Sequence, residues 1–106
     1  MNKMELVGKY ELDCRYDSRN SFYGKAFVEE TKNKNVEDYK LYSYGTLVAR
    51  ITIIGNITTY YYFGKYSQTT TRHQKEFFRQ FGLSDREIKE LWKNGEFLVK
   101  GDLENE

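Results

Sequence analysis

His73 and Cys14 are the only histidine and the only cysteine of the chain, and together they limit the chemistry it can carry. A side-chain nucleophile needs a base beside it, and zinc sites draw on several His or Cys ligands at short spacings. Cys14 falls on the apolar side of a predicted strand, where a cysteine packs as a small hydrophobe. His73 falls on the flank of a predicted helix, four residues before Phe77, at the helix surface or the core edge. Carboxylates able to converge on one ion are scarce. Glu29-Glu30 and Glu37-Asp38 are sequence neighbours, and neighbours on a strand point to opposite faces. Gly24, Gly45, Gly55 and Gly64 stand singly, without the spacing of a phosphate-cradling loop. The residues therefore read as those of a non-enzyme holding no metal and no cofactor.

Two features suit binding instead. Arg72, Lys75 and Arg79 fall at i, i+3 and i+7, which at ~100° per residue makes one basic stripe opposite Phe77 and Phe81. Lys65 and the hydroxyl-rich turn Ser67-Gln68-Thr69-Thr70-Thr71 adjoin its N-terminal end, where helix N–H groups attract anions. The stripe suits a phosphate or an acidic partner, or it is a solvated helix face with a capping turn; Glu76 beside it weakens the positive field. The second feature is aromatic. On a strand, Tyr60-Tyr61-Tyr62-Phe63 sends Tyr60 and Tyr62 to one face and Tyr61 and Phe63 to the other, and Tyr42 and Tyr44 repeat the pattern against Leu41 and Tyr39. Aromatics on an uncovered sheet face stack bases of single-stranded nucleic acid, anchor a protein interface, or pair with one another across strands. The contact candidates are Lys65, Arg72, Lys75 and Arg79 with Tyr42, Tyr44, Tyr60 and Tyr62.

The elements that must position these residues follow from periodicity. Tyr10, Leu12, Cys14 and Tyr16 alternate with charged residues, the period of a half-buried strand. Phe22 to Glu29, Tyr39 to Tyr44, Leu47 to Ile54 and Ile57 to Phe63 read as further strands. Gly55-Asn56 fits a type II′ hairpin turn, and Gly45-Thr46 a tight turn or a kink. After Gly64 the period lengthens: Gln74, Phe77, Phe78 and Phe81 form a helical stripe, capped by Ser67, Thr69 or Thr70 and ended by Gly82. Ser84-Asp85-Arg86-Glu87 is a capping box that starts a second helix, stopped by Asn94-Gly95. Glu96 to Lys100 suits a short edge strand, and the acidic stretch 102–106 is expected to fray. The expected fold is α+β: an antiparallel sheet of four or five strands (about 9–63) followed by two helices (about 69–81 and 85–94) on one face, in a single domain spanning 1–106.

Composition agrees with a folded chain. Of 106 residues, 39% are hydrophobic and 17% aromatic, more aromatic than a disordered chain would be. Net charge is +1, from 17 basic and 16 acidic residues. That lacks the excess of a general nucleic-acid or membrane-surface binder, so electrostatic recognition has to be local. The lone cysteine fits a reducing compartment. No secretory signal is visible in Met1-Asn2-Lys3-Met4-Glu5, and no apolar run approaches the ~20 residues of a membrane span. The expected location is the cytoplasm, without membrane association.

Three stretches, Ser21-Phe22-Tyr23-Gly24-Lys25-Ala26, Leu41-Tyr42-Ser43-Tyr44-Gly45-Thr46-Leu47-Val48-Ala49 and Tyr66 to Phe77, together resemble a family of small proteins carried by phages and other mobile elements of low-GC Gram-positive bacteria. The resemblance spans roughly 21–82, and its most specific part is the pattern YS-x-TT-x-RH-x-x-EF. Where the middle motif of that family has Asn, this chain has Gly45, which suits a turn. The resemblance supplies no catalytic residues but implies a setting, a bacterial host cell in which such proteins bind host components or their own genome. The family has no settled function, and one expectation from that setting is an inhibitor of a host defence complex, anti-CRISPR-like, whose partner is a Cas nuclease or its guide ribonucleoprotein. The alternative it leaves is a nucleic-acid-binding accessory or regulatory protein. Balanced charge favours the first, because contacts from several Lys or Arg dominate affinity for nucleic acid. An exposed edge strand would also suit a homodimer or larger assembly.

Overall fold

The computed structural model describes residues 3–101; the stretch 102–106, expected to fray, lies outside them. Six strands form one antiparallel meander, β1 (Glu5–Glu11), β2 (Ala26–Lys32), β3 (Val36–Ser43), β4 (Thr46–Ile54), β5 (Ile57–Tyr62) and β6 (Phe97–Gly101), each beside its neighbour in sequence order. Between β5 and β6 the chain forms helices α1 (Gln68–Gln80) and α2 (Asp85–Asn94). The fold is α+β, with six strands where four or five were expected. The sixth is β6, which pairs with β5 from Ile57↔Gly101 to Tyr61↔Phe97.

The turns account for the register. Tyr44 and Gly45 both have positive φ (51° and 81°), as a type I′ hairpin between Ser43 and Thr46 requires, so the chain makes a tight turn and not a kink, one residue earlier than the expected Gly45-Thr46, with Thr46 already in β4. Gly55 has φ 61° while Asn56 does not turn positive, in keeping with a type II′ turn. The Asn33 side chain accepts from the N–H groups of Asn35 and Val36 at 2.8 and 2.9 Å, closing the β2–β3 turn as Asn side chains do.

The first strand differs from its expectation. It occupies Glu5–Glu11 and the chain then leaves the sheet, although Leu12, Cys14 and Tyr16 continue the alternation. The cause lies in α1. The buried Glu76 carboxylate accepts from the backbone N–H groups of Arg15, Tyr16 and Asp17 at 3.1, 2.9 and 2.7 Å, and Gln80 donates to the carbonyl of Asp13 at 2.9 Å. These bonds take the amides that a strand ladder would have used. The second strand likewise starts late, at Ala26, because Tyr23 and Gly24 (φ 53° and 73°) form a turn closed by Lys25 N–H to the Phe22 carbonyl at 3.0 Å.

Both helices cover one face of the sheet. Phe77 and Phe78 of α1 and Ile88 and Leu91 of α2 bury against Val28, Leu41, Ala49, Ile51, Tyr60 and Tyr62. Full burial of each large apolar side chain is worth roughly 1.5–3 kcal/mol, so this layer carries most of the driving force. Polar bonds set the angle of α1. The Gln74 amide donates to the carbonyls of Val48 and Gly64 at 2.9 and 3.1 Å, and the Tyr60 hydroxyl donates to the Phe81 carbonyl at 2.5 Å. Ser67 caps α1, Ser84 and Glu87 form the full capping box of α2, and Gly95 (φ 78°) ends α2 in the left-handed conformation. Among the described residues no helix is long and apolar enough to cross a membrane.

Candidate interaction surface on the open sheet face

The helices leave the other face of the sheet uncovered, and the register arranges its side chains in cross-strand rows. One row runs through all six strands: Lys9, Glu29, Lys40, Arg50, Tyr61 and Phe97. A second, from β2 to β6, consists of Thr31, Asp38, Thr52, Thr59 and Val99. Aromatic rings gather at one end. Tyr61 stacks nearly parallel to Phe63 (centroids 6.5 Å apart) and lies 6.1 Å from Phe97. Phe97 is 54% exposed, and Val99 and Phe63 are exposed as well.

Arg50 stands in the middle of this face. Its Nε donates to Asp38 Oδ1 at 2.7 Å, and its guanidinium carbon lies 5.6 Å from the Tyr61 ring centroid. That is within cation–π range. Asp38 is buried beneath its neighbours, also accepting from Thr52 Oγ1 at 3.0 Å and lying 3.3 Å from Lys40 Nζ. Burial alone would raise the Asp38 pKa, but hydrogen bonds and charge from Arg50, Thr52 and Lys40 outweigh it and hold the carboxyl below its ordinary value. Asp38 is thus ionised at neutral pH and fixes both cations. Lys9 sits 5.2 Å over the Tyr42 ring. No sequence expectation singled out Arg50, Asp38 or Lys40. Their signal was opposite charges in the outward phase of two adjacent strands.

The expected contact residues are scattered. Tyr60 and Tyr62 are corrected: they are 3% and 8% exposed, facing the helices. Tyr60 meets Phe78 and Tyr62 meets Trp92, because the inward phase of β5 is the one opposite Ala49 and Ile51. Tyr42 is half-buried on the open face, Tyr44 is exposed at the β3–β4 turn, and Lys65 is exposed beyond the end of β5.

Arg72, Lys75 and Arg79 line a cleft of about 390 Å³ with Tyr16, Asp17 and Asp85. Arg72 grips Asp17 through Nε and Nη2 at 3.1 and 2.6 Å. Arg79 pairs with Asp85 at 2.5 Å and lies 4.9 Å over the Tyr16 ring, and Lys75 is 3.8 Å from Asp85. Hydrogen bonding from Arg72 lowers the Asp17 pKa, and hydrogen bonding from Arg79 lowers that of Asp85. Arg72 meets Asp17, and Lys75 and Arg79 meet Asp85, so the stripe ties the 13–18 loop and α2 to α1.

His73 is fully buried, which replaces the surface or core-edge position expected of it. Its Nδ1 lies 2.8 Å from Ser43 Oγ, which also bonds Thr70 Oγ1 at 2.8 Å, and Phe22 packs edge-on against its ring at 4.5 Å. Burial lowers its pKa. A catalytic Ser–His pair needs access to substrate and a group orienting the second ring nitrogen. Here the pair is sealed, and Nε2 has no partner among the described residues.

A family model described as a family of unknown function, DUF8033, matches residues 10–94. The chain belongs to DUF8033. No curated protein and no solved structure matches it. The DUF8033 match covers β2 to β5, both helices and the loop held by Glu76. It also takes in the Asp38–Arg50–Tyr61 cluster, while β6 lies beyond it.

Proposed function

We propose that this protein is a non-enzymatic binding protein of a phage or other mobile element. It acts in the host cytoplasm by occupying a defence effector of the anti-CRISPR target class, and its contact surface is the open sheet face. One observation carries the reading: among the described residues the two-layer fold leaves one sheet face uncovered, with Tyr61, Phe63 and Phe97 adjoining there and Arg50 fixed beside Tyr61. Tyr and Arg are the residue types that dominate the buried centres of protein interfaces. The charges of the face offset one another, since Lys9, Lys40 and Arg50 share it with Glu11, Glu29 and Asp38. A mixed surface of this kind suits a protein partner. The mobile-element setting comes from the motifs between Ser21 and Phe77.

The test is interference in a bacterium carrying an active CRISPR–Cas system. Expression of the wild-type chain is expected to restore transformation by a targeted plasmid, and the Tyr61→Ala/Phe97→Ala variant to lose that effect while still folding. Unimpaired immunity, with no effector recovered on the tagged protein, overturns the reading.

Nucleic-acid binding is a second reading, favoured by the stacked Tyr61–Phe63 pair, which offers the platform that single-stranded bases use. It predicts binding of single-stranded DNA that falls steeply with salt. Binding that is absent at low salt removes it.

A further inference from the structure

We propose that Arg50 is the anchor of the open face and takes a carboxylate side chain of a protein partner end-on, through its two Nη groups. This rests on the reading of that face as the contact surface and names the chemistry it recognises. Arg50 uses only Nε within the fold. Its Nη1 and Nη2 have no hydrogen-bond partner among the described residues, and its side chain is 41% exposed. A guanidinium normally keeps several rotamers open, and ordering it on binding costs affinity. Here the Nε–Asp38 bond and the Tyr61 ring, 5.6 Å from the guanidinium carbon, restrict the group, so less rotamer freedom is left to lose when the partner arrives. The fork of the two Nη groups matches the two oxygens of a carboxylate.

Local charge agrees. Lys40 and Arg50 bring two positive charges to the single negative charge of Asp38, which is spent on both of them and on Thr52. Glu29, the carboxylate in the row of Arg50, stands beyond Lys40. The cluster therefore has room for one further anion. A nucleic-acid strand asks for several unneutralised cations in line, and the row offers Lys9 only across Glu29. One anchored fork in the middle of the face, beside its aromatic end, is the arrangement of an interface hot spot.

The test uses the purified full chain and nitrogen-15 NMR of its arginine side chains, titrated separately with a glycine–glutamate repeat peptide and an oligothymidylate of equal charge. The Arg50 signals are expected to shift saturably with the peptide, while Arg86, at the far end of α2, shifts only weakly and linearly. Arg50→Lys keeps a cation beside Asp38 but loses the fork, and is expected to weaken peptide binding about tenfold or more with an unchanged melting temperature. The proposal is overturned if Arg50 responds no more than Arg86, if Arg50→Lys binds the peptide as the wild type does, or if the oligothymidylate binds at Arg50 more tightly than the peptide. These readouts need no defence effector, so a chain that fails to inhibit one fails separately from this site.

Discussion

The buried Glu76 side chain accepts the backbone N–H of Asp17 at 2.7 Å across 59 residues of chain. The same carboxylate takes the N–H groups of Arg15 and Tyr16 and is braced by Gln80 at 2.6 Å. A single acidic residue of α1 thus fixes the loop that leaves β1, and that loop presents Asp17 to Arg72. Replacing Glu76 by Ala would leave three part-buried backbone donors without their acceptor, at a cost of about 1–3 kcal/mol. Glu76→Gln should cost less, because its amide oxygen still accepts. Urea denaturation measures both. Hydrogen exchange at the amides of residues 15–17 should accelerate in the Ala variant, and unchanged exchange would show that the carboxylate does not hold the loop.

Stability should fall on mild acidification because of His73. Burial depresses its folded pKa below the ordinary 6.5. Between the two values the unfolded chain binds a proton that the native state excludes, so stability rises with pH across that window. Its contribution is complete above the unfolded value, is lost as pH falls below about 6.5, and levels off once pH passes the folded value. The charged neighbours are Asp17, which favours the proton, and Arg19 and Arg72, which oppose it. Urea midpoints at successive pH values should slope in the wild type and flatten in His73→Phe over this range. Parallel curves would remove His73 as the source. Ser43→Ala should cost about 1–3 kcal/mol at neutral pH by stranding Nδ1.

The two faces of the sheet should differ sharply. Tyr60→Ala empties a core position and removes the bond to the Phe81 carbonyl, for about 3–5 kcal/mol. Phe97→Ser, at an exposed site on the open face, should change stability by only about 0.5 kcal/mol. Thermal melts of the two variants compare them directly. Equal losses would contradict the assignment of the buried face.

Helix α2 is short enough to depend on its ends. Ser84→Ala breaks the capping box by removing the Oγ that accepts from Glu87 N–H at 3.2 Å, and should cost about 1 kcal/mol. Gly95→Ala forces a side chain into a left-handed φ of 78° and should cost about as much. Helicity by circular dichroism together with the melting temperature reads both, and a neutral Ser84→Ala would mean that α2 is held by Ile88 and Leu91 alone.

What the sequence disclosed follows the reach of each signal. Local signals were legible: Ser67, Ser84 and Gly95 mark helix ends by chemistry within a few residues, and Gly55-Asn56 marks a hairpin. Alternation at Tyr60-Tyr61-Tyr62-Phe63 separated the two faces of β5. It could not say which faced inward, because all four residues are aromatic and that choice depends on strand partners Ala49 and Ile51. The end of β1 was illegible for a similar reason, since Leu12 and Cys14 keep the strand period while a distant glutamate takes the backbone. The Asp38–Arg50 pair was hidden because its two members stand 12 residues apart on different strands. Its meaning emerges only when β3 and β4 are set in register.

The meander has a kinetic side. Strands β2 to β5 are joined by tight turns at 33–35, 44–45 and 55–56, so each can pair with the one just made, and contacts close in sequence fold quickly. As the chain leaves the ribosome these four strands can assemble in order of synthesis. The outer strands have to wait. β1 reaches β2 across the longer loop 12–25, whose residues 15–17 are fixed only when α1 brings Glu76 to them, and β6 cannot dock on β5 until both helices have been made. Arg50 and Tyr61 belong to the early part, so the proposed anchor stands on the portion of the sheet that is laid down first.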